Sequence, residues 1–559
     1  MSSVYKRQRT TSEYEELSVS AFVESCINFK TNLSFHTTAE GKQLANEAMR
    51  STPQQPNIVL LLGNEKQLQD KKALSSFFPY YSNAVASAIN VAATGQNYVA
   101  EITPHARILV GMVPTKASRH NCPSRPDVVS TLVKDAITQA RRVDGENSSF
   151  RFVDIYCCES ENELCIATVV ARSANRSFSA KRGRAENGYV EAGLPVRVFF
   201  APNTTKLTLT EAENTFACGS RHALEVAALV VQLCQRLVDA PTNLLDTTTF
   251  TEIASGHLEK LRAQGRNVSI DIIGGEELRE KGYGGLYGVG KAAEFPPHLV
   301  TLSYHPSNVV DPQEKLAFVG KGIVYDTGGL SIKTSGGMCN MKHDMGGAAA
   351  VFCGFIGLAM LEVPHMISSL LCLADNAVGP RSQRNDDIIR MKSGRTVEVN
   401  NTDAEGRLVL GDGVYHASAL LSYTPNIIVD MATLTGAQGV ATGRAHAALY
   451  ANNEEIENRI LRASRICGDL CFPILHCPEF HSSEFTSNIA DSRNSVANRG
   501  NATASCAAYF IGTHIDAKYK GSWAHIDMAS PVSREEATGF GVALLLQTFA
   551  PSFNSSVGL

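Results

Sequence analysis

The sequence predicts an α/β protein: a C-terminal domain with a mainly parallel central sheet flanked by helices, and a smaller α/β N-terminal domain. Three observations predict it. At 559 residues the chain is longer than one hydrophobic core ordinarily serves. Beyond the break at Pro241, apolar β-branched runs alternate with helix-like stretches, the pattern of a sheet covered on both faces. The longest uncharged run, Met345 to Leu361, holds 17 residues and four glycines, short for a membrane span and suited to a buried helix.

In chain order, "MSSVYKRQRTTSEYEELSV" has early basic residues with no apolar stretch after them. It is not read as a secretory signal, and the first ~15 residues are expected to form a disordered tail. Strand-like runs follow at 57–63, 107–113, 150–156 and 194–200. Between the last two lies "RSANRSFSAKRGR" (172–184), with five basic residues and no acid. It carries one aromatic and belongs to no nucleic-acid module, so a solvated loop is favoured over nucleic-acid binding through Lys181, Arg182 and Arg184. "RHALEVAALVVQLCQRLV" (221–238) has the apolar density of a buried helix, and "DAPTN" ends it. The expected division is therefore 1–218 and 219–559, with a linker helix at about 219–238 opening the second domain. Strands are expected at 268–274, 298–304, 315–325, 366–374, 395–399 and 425–434, with helices after Asp344 and after Arg407.

Composition excludes several classes. A hydrophobic content of 44%, 19% charged residues and a net charge of -4 describe a soluble chain with no global pull toward nucleic acid or anionic membrane. Fourteen cysteines without a Cys-x-x-Cys pair suggest reduced thiols and a cytoplasmic setting. Val557-Gly558-Leu559 matches no targeting signal. "GLYGVGK" (285–291) has P-loop spacing, but Ala292 stands where Ser or Thr should hold magnesium and no strand precedes it. A glycine-rich structural turn is the better account.

"EVNNTDAEGRLVLGD" (398–412) first suggests a calcium loop, because Asn401, Asp403, Glu405, Gly406, Leu408 and Asp412 occupy its expected positions. "SGRTVEV" before it has no helical face, however, and an EF-hand loop sits between two helices. Two further segments are as unusual. "VGKGIVYDTGGLSIK" ends an apolar strand with Lys321, Asp326 and Lys333; "MKHDMGGAAAVFCGF" sets Asp344 before a glycine- and alanine-rich helix. In open α/β sheets such residues meet beyond the carboxyl ends of the strands. Four converging carboxylates, Asp326, Asp344, Asp403 and Glu405, would repel one another by ~4 kcal/mol per pair at ~4 Å and an effective dielectric of ~20. Two divalent cations would balance them. The alternative for any one acid is helix capping, open to Asp344 in particular.

"NTDAEGRL" (401–408) resembles the signature octapeptide of the leucyl aminopeptidase (cytosol aminopeptidase) family, and "GKGIVYDTGGLSIK" and "MKHDMGGAAA" resemble its other two site segments. The spacings agree: five residues from Lys321 to Asp326, twelve to Lys333 and twenty-three to Asp344. The similarity covers roughly residues 220 to 550, and "NRGNATASCAAYFIGTHI" and "ATGFGVALLLQTF" look most like the aminopeptidase-like branch.

The resemblance implies a metal-dependent aminopeptidase that hydrolyses the N-terminal residue, leucine-like preferred, through water bridging two divalent ions: zinc, or manganese, magnesium or cobalt. It implies Lys321, Asp326, Asp344, Asp403 and Glu405 as ligands, with Asp326 and Glu405 bridging. Lys321 could ligate only as the neutral amine, its pKa pulled far below ~10.4. Lys333 would stabilise the oxyanion. Arg407 would hold bicarbonate as general base, with backbone groups at Ala404, Gly406 and Leu434. Met341, Thr433, Gly436, Ala529 and Val532 would receive the substrate side chain, although core packing alone accounts for Ala529 and Val532. A homohexamer acting on peptides, cytoplasmic and with neither membrane nor nucleic acid as partner, is the expected setting. "RGNATAS" (499–505) and Ser335-Gly336-Gly337 depart from the family pattern and bear on side-chain preference. The competing reading is a catalytically silent scaffold or binding protein that keeps the fold.

Overall fold

The computed structural model describes residues 18–50, 56–141, 151–159, 161–174, 178–180, 185–186, 190–191, 194–203, 209–218, 220–307, 309 and 311–554. The expected N-terminal tail, the basic cluster Lys181, Arg182 and Arg184, and the last residues Val557 to Leu559 lie outside them.

Apolar runs that bury both faces build two separate large sheets. The first has six strands in the order Leu33–His36, Val196–Phe200, Val153–Cys157, Asn57–Asn64, Ala106–Val113 and Asn97–Ile102. All neighbours run parallel except the last pair, which is antiparallel. The four strands expected from sequence are present. Leu33–His36 has only four residues, and Asn97–Ile102 is a largely exposed edge without an apolar run; both escaped the sequence reading.

The helix Arg221–Asp239 follows, its start capped by the Ser220 hydroxyl accepting from the Ala223 N–H. It is buried along most of its length and joins the two halves of the molecule. One continuous core runs from Val198 of the first sheet through Ala227 and Val230 of this helix to Phe352 and Leu545.

The second sheet has eight strands in the order Cys471–Pro473, Ala447–Ala451, Ser522–Asp527, Ile427–Ala432, Lys315–Asp326, Met366–Asn376, His298–Tyr304 and Val268–Gly274. Its four central strands are mutually parallel. Antiparallel pairs flank them. The helix Gly346–Met360 covers one face together with Val542–Phe549; Gly406–Ala419 covers the other with Gly284–Gly290 and Thr503–Gly512. Gly347 lets the first of these helices lie directly on the sheet, since a Cβ there would come 2.1 Å from the Met431 carbonyl oxygen.

One expectation is corrected, and another, the buried helix in the uncharged run, is borne out. "GLYGVGK" is not a turn: Gly284–Gly290 is a helix, so its amides are not splayed around a phosphate-sized loop. The stretch Gly336–Met360 is long and apolar enough to cross a membrane by composition, yet 89% of its most apolar window is buried inside the protein, as a core element is.

Candidate metal centre

The strand Lys315–Asp326 carries Lys321 in its buried interior and ends on Asp326, after a register shift between Ile323 and Asp326. Asp344 belongs to a 3-10 turn, Met341–Met345, that enters the helix Gly346–Met360. No side chain caps that helix, which removes the capping alternative for Asp344. Asp403 and Glu405 precede the helix Gly406–Ala419, and Glu405 makes no cap bond either. All five come together with Lys333 at the carboxyl end of the central strands.

The contacts are short. Lys321 Nζ lies 2.8 Å from Asp344 Oδ1 and 3.0 Å from Glu405 Oε1, and it donates to the Thr433 carbonyl at 2.9 Å. Lys333 Nζ lies 2.7 Å from Asp326 Oδ2 and 2.5 Å from Asp403 Oδ1. Oxygens of Asp326, Asp403 and Glu405 fall within 4.8 Å of one another, a cluster that could hold a metal ion. Asp344 Oδ2 is buried with no hydrogen-bond partner.

Four carboxylates thus face two ammonium groups, and the environment registers the imbalance. Burial raises the carboxyl pKa values of Asp344, Asp403 and Glu405, and neighbouring acids add to it. Burial opposes the charge on Lys321, but Asp344, Glu405 and Asp326 outweigh it and hold the ammonium above the ordinary lysine range. Lys333 is raised likewise, chiefly by Asp326 against burial. Without an ion, then, Lys321 is a counter-charge; it becomes a ligand only if cationic charge beside it displaces its proton. The orphaned Asp344 oxygen and the excess of buried carboxylate fit divalent cations, and an all-oxygen set with one amine suits zinc, manganese or magnesium.

Arg407 lies 6% exposed on the first turn of the helix Gly406–Ala419. Its Nε and Nη1 have no hydrogen-bond partner, and burial pulls its pKa down to about 10. A buried planar cation with open donors suits a planar oxyanion. Of the backbone groups expected to face such an anion, Ala404 and Gly406 flank this turn. The Leu434 N–H is instead donated to Asp527 Oδ1 at 3.1 Å.

The five side-chain-pocket candidates are placed unevenly. Thr433 donates its hydroxyl to Asp344 Oδ1 at 2.8 Å, next to the cluster. Met341 is half-buried at the start of the 3-10 turn, and Gly436 is exposed with open space where a Cβ would stand. Ala529 is half-buried and its N–H goes to Asp527. Val532 is 4% exposed and belongs to the main core.

The structure also adds residues that sequence reading missed. Asn376 ends the strand Met366–Asn376 and donates to Asp326 Oδ1 at 2.8 Å. Thr402 donates to the Gly328 carbonyl and accepts from the Ser331 N–H, tying two site loops together. Asp430 accepts from Trp523 Nε1 and pairs with His525 Nδ1, both fully buried within the sheet. Only the position of Asn376 at the end of an apolar strand, mirroring Asp326, would have signalled any of them.

The sequence profile of the cytosol aminopeptidase family, catalytic domain, matches residues 232–546, and that of the M17 aminopeptidase N-terminal domain 2 matches residues 57–184. A Mus musculus protein named probable aminopeptidase NPEPL1 is 43% identical over 447 residues, 79% of each chain. Leucine aminopeptidase 1 of Caenorhabditis elegans is 44% identical over 311 residues, 55% of this chain and 61% of that one. Among solved structures, apo leucyl aminopeptidase from Trypanosoma cruzi matches with a TM-score of 0.86 and 46% identity, covering 95% of this chain and 99% of that chain. Leucyl aminopeptidase from Trypanosoma brucei in complex with bestatin matches with a TM-score of 0.84 and 48% identity, covering 95% and 98%.

Proposed function

Because this chain belongs to the cytosol aminopeptidase family and is a peptide hydrolase, we propose that it removes the N-terminal residue of peptides at a site for two divalent cations. The observation that carries this is the cluster of four carboxylates around Lys321 and Lys333, with an unpartnered Arg407 buried next to it.

Lys321, Asp326, Asp344, Asp403 and Glu405 would hold the ions, with Asp326 and Glu405 shared between them. When bound, two such ions bring the pKa of water toward neutrality and polarise the scissile carbonyl. Lys333 would keep its proton, as its raised pKa favours, and stabilise the negative charge that develops on the carbonyl oxygen. Arg407 would hold bicarbonate with its planar fork beside Ala404, Gly406 and Leu434; bicarbonate supplies a proton acceptor. Thr433, bonded to Asp344, would align the substrate side chain, which Met341, Gly436, Ala529 and Val532 would enclose. Their mostly apolar character favours leucine-like residues.

The same reading assigns residues 1–218 to an N-terminal domain and 219–559 to the catalytic domain. It takes the protein as a cytoplasmic homohexamer with zinc or manganese in the site. The test is hydrolysis of leucyl amide by the full chain after addition of manganese or zinc. Release of leucine supports the proposal; no turnover from folded, metal-loaded protein overturns it.

A further inference from the structure

Two of the three segments that form the acidic cluster share one neutral hub. Asn376 is 2% exposed and stands opposite Asp326 in the parallel strand register. Its Nδ2 is surrounded by oxygens: Asp326 Oδ1 at 2.8 Å, the Thr402 carbonyl at 3.1 Å and Glu405 Oε2 at 3.4 Å. All three can only accept, which fixes the orientation of the amide. The backbone of the same residue is held as firmly, because its carbonyl accepts from the Thr327 hydroxyl at 2.5 Å and the Thr327 N–H at 3.3 Å.

This arrangement divides the work of each carboxylate. Asp326 gives Oδ1 to Asn376 and to the Gly328 N–H, which leaves Oδ2 directed at Lys333. Glu405 gives Oε2 to Asn376, which leaves Oε1 at Lys321. One amide group therefore sets the separation and rotation of two acids that come from different loops and repel each other. It does so without adding charge, which a lysine or arginine in the same place would do at the expense of the acids' demand for cations.

Resting on the two-cation reading above, we infer that Asn376 is the positioning residue that spaces Asp326 and Glu405, and so decides whether the site holds a coupled pair of ions or a single one. Thr402, whose carbonyl accepts from the amide, carries that spacing into the 401–406 loop.

The experiment loads the full-length protein and its Asn376→Leu and Asn376→Ala variants with Mn(II), then measures bound manganese per chain and the electron paramagnetic resonance spectrum. Leucine keeps the approximate shape without the donor, and alanine leaves room for water. The wild-type protein is expected to hold two ions with an exchange-coupled spectrum. Both variants are expected to bind manganese about 10–100-fold more weakly, with an uncoupled signal, as loss of an outer partner of a ligand does. Melting of the metal-stripped variants near the wild-type temperature separates this from misfolding. Two coupled ions of wild-type affinity in the variants overturn the role of Asn376 alone. Absence of a pair in the wild-type protein overturns the two-cation reading with it, and loss of the cooperative melt in both variants would make Asn376 a folding residue instead.

Discussion

Gly406 is where the geometry of the site is most exposed to a single methyl group. It opens the helix Gly406–Ala419, and a Cβ on it would lie 2.5 Å from Lys321 Cε, 2.7 Å from Nζ and 2.8 Å from Cδ. Carbon atoms pack at ~3.5–4.0 Å, so Gly406→Ala must push the lysine stem away by about 1 Å. Lys321 is 2% exposed and its Nζ is bonded at 2.8, 2.9 and 3.0 Å to Asp344, Thr433 and Glu405. A retreat of that size takes these contacts to about 4 Å, beyond hydrogen-bonding range. Overpacking costs about 1–3 kcal/mol, and alanine returns roughly 1 kcal/mol of helix propensity. Packing and propensity together take only about 0–2 kcal/mol from the fold, but drawing the buried ammonium off its partners adds about 3–5 kcal/mol in the metal-stripped protein, and with the ligand displaced metal affinity should fall at least ~100-fold. Three readings on one preparation decide the matter: melting of the metal-stripped protein, bound metal per chain and leucyl amide turnover. A cooperative melt at a lowered temperature, with poor metal retention and turnover, is expected. Full metal content with wild-type turnover would refute the assignment of Lys321 to the site.

Three further outcomes follow from the same contacts. Glu405→Gln should lower bound metal together with activity; full metal content in the variant would contradict the bridging role. Arg407→Met should slow turnover by about 10²-fold while leaving metal in place, and should raise the melting temperature, because it removes a buried cation with open donors; unchanged turnover would sink the anion pocket. Burial holds the carboxyls of Asp344, Asp403 and Glu405 above their ordinary values and raises Asp375 to about 6 from 3.8. The unfolded chain gives up these protons first, so it binds fewer of them across this window. These acids therefore cost the metal-stripped protein stability as pH rises from about 4 to about 6, while buried histidines such as His257, His298 and His416, lowered to about 4, act in the opposite direction; manganese engages the ionised acids, so the stabilisation that added manganese gives should grow over that range, and one that does not grow would contradict the buried acids.

Strands were legible where apolar and β-branched residues run together, whether buried on both faces as in His298–Tyr304 or half exposed at the sheet edge as in Val268–Gly274; both have the bounds their runs suggest. Ser522–Asp527 was not legible, although it sits in the middle of the same sheet. Its alternate residues Trp523, His525 and Asp527 spend their polar atoms on Asp430, Leu434 and Thr435 instead of forming an apolar run. The site divides in the same way. Charged residues set into apolar surroundings announce themselves, so Lys321, Asp326 and Asp344 stood out. Asn376 and Thr402 carry no charge, and their importance exists only in the distances to loops remote in sequence.

Asp412 shows how a false motif can still hold structural information. As the last position of a calcium loop it would have been a ligand, and "GLYGVGK" would have been a nucleotide loop. In the folded chain Asp412 is fully buried; its Oδ2 accepts from the Leu286 N–H at 2.9 Å and its Oδ1 from the Lys392 N–H at 2.7 Å. An acid in the helix Gly406–Ala419 thus anchors the glycine-rich helix Gly284–Gly290 against it. Each segment spends on the other the group its motif would offer a ligand: the carboxylate occupies the Leu286 amide that a phosphate would need, and the Leu286 and Lys392 N–H groups engage the oxygens that calcium would need. That mutual contact fixes the helix whose first turn carries Gly406 and Arg407, so the two misleading patterns together hold the third part of the site in place.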